Sequence, residues 1–256
     1  MFRYKSLIQA SFLLAISIPF AQAGAAHGIK DVIAAAIANP ARPDADKAQD
    51  AGRKSQEVLA FAGVRPGDRV ADFLPGGGYV TRLFSAIVGK DGHVYAVVPD
   101  ELPERAAASA QKIAGDPAYT NITVVRGPVN AFNTPEKLDL VWTSMNYHDL
   151  HNAFLGPADL SLLNKAIFNA LKPGGIYLVL DHAAAPGSGL RDTDTLHRID
   201  PAVVKKEVLA AGFKLEAESS VLKNPADDHT RKVFDPAIRG KTDKFVFKFR
   251  KPMEAK

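Results

Sequence analysis

DFLPGGGYVT, residues 72–81, sets three consecutive glycines between an apolar run and a helical one. Upstream, RVADFL (69–74) has the length and apolar content of a buried strand. Downstream, YVTRLFSAIVG (79–89) places Tyr79, Leu83 and Ile87 on one helical face, with Gly89 as a stop. A strand that runs through glycines into a helix lets backbone N–H groups approach a ligand closely and turns the positive end of the helix dipole toward it. Glycine also serves any tight strand-to-helix turn, so the tripeptide alone keeps a purely structural reading open. Its place after the first strand, at the carboxyl edge where α/β sheets bind ligands, favours the ligand reading.

The same alternation extends outward in both directions. QDAGRKSQEVLAFAGV (49–64) reads as helix and ends at the turn RPGD. HVYAVV, NITVVR, LDLVWTS and GIYLVLD read as strands, with helical ELPERAAASAQKIAG and LSLLNKAIFNALKPGG among them. Strands alternating with helices predict parallel pairing through right-handed crossovers, with both faces of the sheet covered. The tail changes rhythm: FKLEAESSVLK and DKFVFKFRK are strand-like and separated only by the loop 224–242. In the second, Phe245, Phe247 and Phe249 alternate with Val246, Lys248 and Arg250, which predicts a half-exposed strand with the phenylalanines in the core. The fold class expected is α/β: a three-layer sandwich around a mostly parallel, Rossmann-like seven-stranded sheet finished by an antiparallel hairpin.

The first 23 residues have Arg3 and Lys5 ahead of an apolar run from Leu7 to Phe20, then Ala21-Gln22-Ala23. This is the pattern of a cleavable secretory signal, expected to end after Ala23, and it predicts an exported, periplasmic protein. The run is short of the ~20 apolar residues of a membrane span, so no stable insertion is expected after its removal. Residues 24–47, with an amphipathic segment (Ile29, Val32, Ile33, Ile37) and the Pro- and Ala-rich stretch 38–46, read as a lead-in to one domain over 48–252. Without Arg3 and Lys5 the formal net charge of +4 drops by two, which is no footprint for nucleic acid. The chain has no cysteine, so disulfides, thiol nucleophiles and zinc–thiolate centres are excluded.

Residues 49–251 resemble the class I S-adenosylmethionine-dependent methyltransferases. The family's first motif, an acid followed by glycines spaced G-x-G-x-G, stands here as DFLPGGGY: Asp72 matches the acid, Gly76 and Gly78 the second and third glycines, and Leu74 occupies the place of the first. LDLVWTS and NALKPGGIYLVLD match the fourth strand and the turn into the fifth. MNYHDLHN, LDHAA and 224–252 are further similar to a group of exported bacterial proteins classed as methyltransferases. The resemblance implies S-adenosylmethionine as cofactor, held by Asp72, Pro75, Gly76, Gly77, Gly78 and Tyr79. Relatives close the second strand with an acid for the cofactor ribose; here Val98 stands at that point, and Asp100 and Glu101 follow. Two readings stand for these acids: ribose ligands reaching in from the loop, or a helix N-cap and a first-turn acid.

Polar chemistry collects after the fourth and fifth strands. His148 and His151 follow the fourth, His182 ends the fifth and His197 lies in the next loop, with Asp149 and Asp181 beside them. Methyl transfer to a hydroxyl needs a nucleophile held in line and a base for its proton. His148 or Asp149 is the expected base, with Asn146, Tyr147, His151 and His182 facing a small-molecule acceptor. No metal belongs to this principal reading. A rival reading makes His148, His151, Asp149 and the Asp181-His182 pair a metal site and the protein a metal-dependent hydrolase. A third keeps the fold as an exported binding protein, which the substitutions at Leu74 and Val98 favour. Arg191, His197, Asp228 and Arg231 read either as a lid over the site or as the ordinary lead into a helix at 201–211. Neither the acceptor nor the oligomeric state is set by the sequence.

Overall fold

The computed structural model describes residues 21–155 and 158–253, with side chains from 28 onward. The expected leader, 1–23, lies outside the described residues except for its last three, which open the first helix. Among the described residues no helix is long and apolar enough to cross a membrane.

Seven strands form one sheet: β1 (Arg69–Phe73), β2 (His93–Pro99), β3 (Ile122–Gly127), β4 (Leu138–Ser144), β5 (Leu171–His182), β6 (Lys214–Ser219) and β7 (Lys244–Arg250). Their order is β3-β2-β1-β4-β5-β7-β6. The first five are parallel, and β7 runs antiparallel to both β5 and β6. The expected α/β sandwich with an antiparallel closing hairpin is therefore the architecture found. The order reverses between β1 and β4, whose carboxyl ends open a crevice at the switch point, where such sheets take ligands.

Two apolar clusters cover the two faces. Val70, Ala96, Trp142, Leu180 and Val246 point to one, and Ala71, Tyr95, Val141, Val179 and Phe247 to the other. Burial on both sides is why the strands read as continuous apolar runs. It also corrects the half-exposed strand expected at β7. Phe245, Phe247 and Phe249 enter one cluster and Val246 the other, while the Lys248 ammonium lies 4.8 Å from the Phe61 ring.

The first face is layered by α5 (Tyr79–Val88) and by α4 (Ser55–Ala62), over which α1 (Ala21–Ile37) is laid. Ile33 and Ala36 of α1 are buried in the first cluster, so this helix contributes to the core. Between α1 and α4 the chain makes two short turns, α2 (Asp44–Lys47) and α3 (Asp50–Arg53). They are fastened by Arg42 to Asp50 at 2.6 Å, by Arg82 to Asp46 at 2.6 Å and by the Tyr79 hydroxyl to Asp50 at 2.5 Å. These bonds close the N-terminal segment over the glycine turn. On the same face, nearer the sheet edge, lies α6 (Glu104–Ala114), whose Ala107, Ala110 and Ile113 join the first cluster. The second face is covered by α7 (Leu160–Ala170) and α8 (Pro201–Ala210). Asp200 caps α8, accepting the Ala202 N–H at 2.9 Å, and Pro201 follows at the first helical position.

Candidate active site

After Phe73 the backbone turns through Leu74, at φ 61°, and Gly76, at φ 54°; Gly78, at φ 75°, opens α5. The Gly78 N–H donates to the Pro75 carbonyl at 2.9 Å, closing the turn. A Cβ on Gly78 would stand 2.0 Å from Ile113 Cδ1, whereas one on Gly77 would meet nothing within 4 Å. Gly78 is thus required by packing and backbone, whereas Gly77 borders open space that a side chain there would enter. That space is a cavity of about 360 Å³ whose lining includes Asp72, Pro75, Gly76, Gly77, Tyr79 and Val98. Asp72 is fully buried beneath it. Burial pushes its carboxyl up to about 7, against the opposing hydrogen bond from Thr81 Oγ1 at 2.6 Å.

Neither Asp100 nor Glu101 lines this cavity. Asp100 pairs with Arg126 at 3.1 Å, and Glu101 accepts the Val129 N–H at 3.0 Å. The short loop after β2 turns both acids toward β3, and from this stretch Val98 and Leu102 line the cavity. The far wall is the segment after β4. Met145 sits there at φ 58°, and Asn146 donates to the Leu74 carbonyl at 3.0 Å, bracing the two walls of the crevice.

The next residues part company, because 147–151 make a turn that faces two ways. Tyr147 is fully buried on the side of α7 and α8, its hydroxyl donating to Glu207 at 2.9 Å and accepting from Asn164 at 2.9 Å. His151 Nε2 lies 3.3 Å from Glu207. These two, expected to face an acceptor, instead turn to Glu207 of α8, Tyr147 fully buried and His151 partly so. His148 and Asp149 turn the other way. His148 Nδ1 is 2.9 Å from the buried Asp181 carboxylate, and its Nε2 is 3.3 Å from Asp149 and 3.2 Å from His197 Nδ1. Burial pulls the His148 imidazole down, but Asp181 and Asp149 more than offset this and carry it up to about 10. Of the two expected bases, Asp149 is the one that also lines the cavity. His182 stands on the wall of a second, larger cavity, its Nδ1 2.8 Å from Thr242 Oγ1, and burial, against Asp181, lowers it to about 3.

The rival metal reading is corrected in its ligands. Among the described residues the group that converges is His148, Asp149 and His197; His151 and His182 stand apart from it. Of the four lid candidates only His197 reaches the site: Arg191 pairs with Asp192, Arg231 with Asp235, and Asp228 with Thr230.

A second cavity of about 600 Å³ opens beyond Tyr79 and Met145, which both cavities share. Its wall is largely apolar, with Leu59, Leu83, Trp142, Leu222 and Phe234, and carries the cations Lys244 and Arg239. Arg53, which sequence reasoning missed, lines both cavities and lies 4.3 Å over the Tyr79 ring. Only the fold of the N-terminal turns brings it there, so spacing held no signal for it.

No family model matches the chain. It is 28% identical over 186 residues to the ubiquinone/menaquinone biosynthesis C-methyltransferase UbiE of Photorhabdus laumondii, an alignment covering 70% of this chain and 69% of that protein. Among solved structures, an S-adenosylmethionine-dependent methyltransferase from Mesorhizobium loti superposes with a TM-score of 0.56 at 17% identity, covering 79% of this chain and 99% of the other. The cyclase SpnF superposes equally well, at 0.56 and 16% identity, over 80% and 83% of the two chains.

Proposed function

We propose that this chain, whose fold is that of the class I S-adenosylmethionine-dependent methyltransferases, transfers a methyl group from S-adenosylmethionine to a small, largely apolar acceptor. The observation that carries the reading is the pair of cavities meeting at Tyr79 and Met145, one built on the glycine turn and one lined by apolar side chains. The donor takes the smaller cavity, over Gly76 and Gly77 and the N-terminus of α5. Arg53 then serves its carboxylate, and the ionised form of Asp72 its cationic amine and sulfonium. The acceptor takes the larger cavity, an anionic or polar head toward Lys244 and Arg239. That the relatives matched in sequence are named as methyltransferases of quinone biosynthesis agrees with an apolar ring as acceptor. Asp149, on the wall of the donor cavity, is the proton acceptor.

Titration calorimetry of the chain from Gly24 onward with S-adenosylmethionine, and separately with S-adenosylhomocysteine, tests the reading. Micromolar binding abolished by Gly77→Val supports it and licenses an acceptor screen. No heat at millimolar donor overturns it, and then favours a ligand-binding protein on the same fold, the reading that Leu74 and Val98 support. The leader pattern adds export to the proposal; donor-binding protein found solely in the cytoplasm of expressing cells counts against that part.

A further inference from the structure

Three heteroatoms converge where the segment after β4 meets the loop after β5. His148 Nε2 and His197 Nδ1 are 3.2 Å apart, His148 Nε2 and Asp149 Oδ1 3.3 Å, and His197 Nδ1 and Asp149 Oδ1 3.6 Å. Ligands about 2.0–2.1 Å from a tetrahedral zinc ion stand about 3.3 Å from one another, so one ion is equidistant from all three at ordinary bond lengths. The imidazole of His148 is fixed from behind by Asp181, 2.9 Å from Nδ1, in a fully buried position. A carboxylate on the far nitrogen of a histidine is the arrangement that orients a metal ligand and raises its basicity. His197 is held at φ 55°, a conformation that costs a non-glycine residue of order 1 kcal/mol or more and persists only where the surroundings impose it. Its ring lies 4.9 Å from that of Phe234.

We propose that His148, Asp149 and His197 form a three-ligand site for a divalent transition-metal ion, of which zinc is the representative, with an open coordination position that takes an oxygen of the acceptor. The side chains of Asp149 and His197 are each about one fifth exposed, so the centre is reachable from outside. It also lies between the two cavities: Asp149 lines the smaller, and Phe234, against His197, the larger. The binding of the ion stands on the geometry alone, while its role toward the acceptor rests on the methyltransferase reading. With the ion bound, Asp149 is a ligand and not the proton acceptor it is without metal: a hydroxyl on the ion would lose its proton to solvent near neutral pH and be held as the anion, because the ion stabilises the charged oxygen. The anion attacks the sulfonium methyl; the new bond forms as the carbon–sulfur bond breaks, and neutral S-adenosylhomocysteine leaves.

The test is equilibrium dialysis of tag-free full chain, stripped with chelator, against zinc, followed by titration with cobalt(II) monitored for the visible bands of a tetrahedral site. One equivalent of zinc and such bands are expected in the native chain. His197→Asn, chosen because asparagine tolerates a left-handed backbone, is expected to lose stoichiometric binding. Asp181→Asn is expected to weaken zinc about 10–100-fold. His93→Ala, remote from the cluster, is expected to change nothing. Thermal melting of each variant verifies that it is folded, and donor titration is run alongside. Zinc binding retained in Gly77→Val while donor binding is lost keeps the two proposals separable. Less than one equivalent of zinc in the native chain, or stoichiometric binding surviving in folded His197→Asn, overturns the site.

Discussion

Leu74, Met145 and His197 hold left-handed backbones, and all three stand at the crevice or the histidine cluster. Non-glycine residues in that region carry strain that the surroundings must impose, and such strain collects at functional sites. The glycines beside them separate into two kinds, which single substitutions distinguish. Gly78→Ala drives a methyl into Ile113 at a positive φ, and the combined overpacking and backbone cost is expected to be about 2–4 kcal/mol, read as a drop in melting temperature. Gly77→Ala is expected to leave the melting temperature unchanged within error. Asp72 gives a pH prediction. Its carboxyl, near 3.8 in the unfolded chain and raised to about 7 when folded, keeps its proton in the folded state across that window. Stability from this residue is therefore complete below about 4 and falls as pH rises toward 7, with a ceiling of about 4 kcal/mol from the three-unit shift. Asp72→Asn is expected to flatten that slope in urea unfolding at pH 4 to 8. A cationic donor reverses the preference and favours the ionised form, so donor binding below pH 7 is expected to release a proton. Calorimetry in buffers of different ionisation enthalpy reads this directly; identical heats in both buffers remove Asp72 from the donor's surroundings.

At the level of elements, the loops after β5 and after β6 behave as one piece. Arg198, fully buried, donates to Asp227 at 2.8 Å, to the Ala183 carbonyl at 3.0 Å and to the Arg231 carbonyl at 3.0 Å. Asp227 in turn accepts the Asp243 N–H at 2.6 Å. The loop 224–242, which its length alone suggests as a lid, is therefore anchored at both ends by a buried ion pair. Removing one partner leaves the other charged and unsatisfied, so Asp227→Ala is expected to cost about 3–5 kcal/mol in urea unfolding. Because His197 precedes Arg198, that variant is also expected to weaken zinc binding while donor affinity stays within twofold. What was legible from sequence follows the same division. The strand–glycine–helix unit and the closing hairpin are specified by contiguous residues with a clear period, and they lie where expected. Which way Tyr147, His148, Asp149 and His151 face is decided within one turn by partners 33 to 60 positions away, Asp181 and Glu207, and no local period encodes it. The two acids after β2 are placed in the same way: Arg126 and the Val129 N–H, both on or beside β3, pair with them.

For the molecule as a whole, the larger cavity exists because the two ends of the chain meet over one end of the sheet. Arg53 and Leu59 come from the N-terminal turns, Trp142 from the middle of the sheet, and Leu222, Phe234 and Lys244 from the last sixth of the sequence. The N-terminal part is fastened through Asp46 to Arg82 and through Asp50 to Tyr79, so the helix that begins at the glycine turn also holds this roof. Lys54 reaches across to the Val221 carbonyl at 2.8 Å, tying the two ends directly. One structure thus joins a cavity whose floor is the contiguous motif 72–79, the proposed donor site, to a cavity assembled throughout from distant residues, the proposed acceptor site, which is why the floor of the first was readable from sequence and the second was not. The separation is testable without knowing the acceptor. Anilinonaphthalene sulfonate, an apolar anion, matches the apolar wall and the Lys244 and Arg239 cations, and its emission is expected to rise on binding the native chain. Leu222→Trp, which fills the cavity from a wall position about one twelfth exposed, is expected to suppress that signal while S-adenosylmethionine binding persists. Gly77→Val is expected to do the opposite, keeping the dye and losing the donor. If Leu222→Trp abolishes donor binding in a protein that still melts cooperatively, the two cavities are one site and the division of roles between them is wrong.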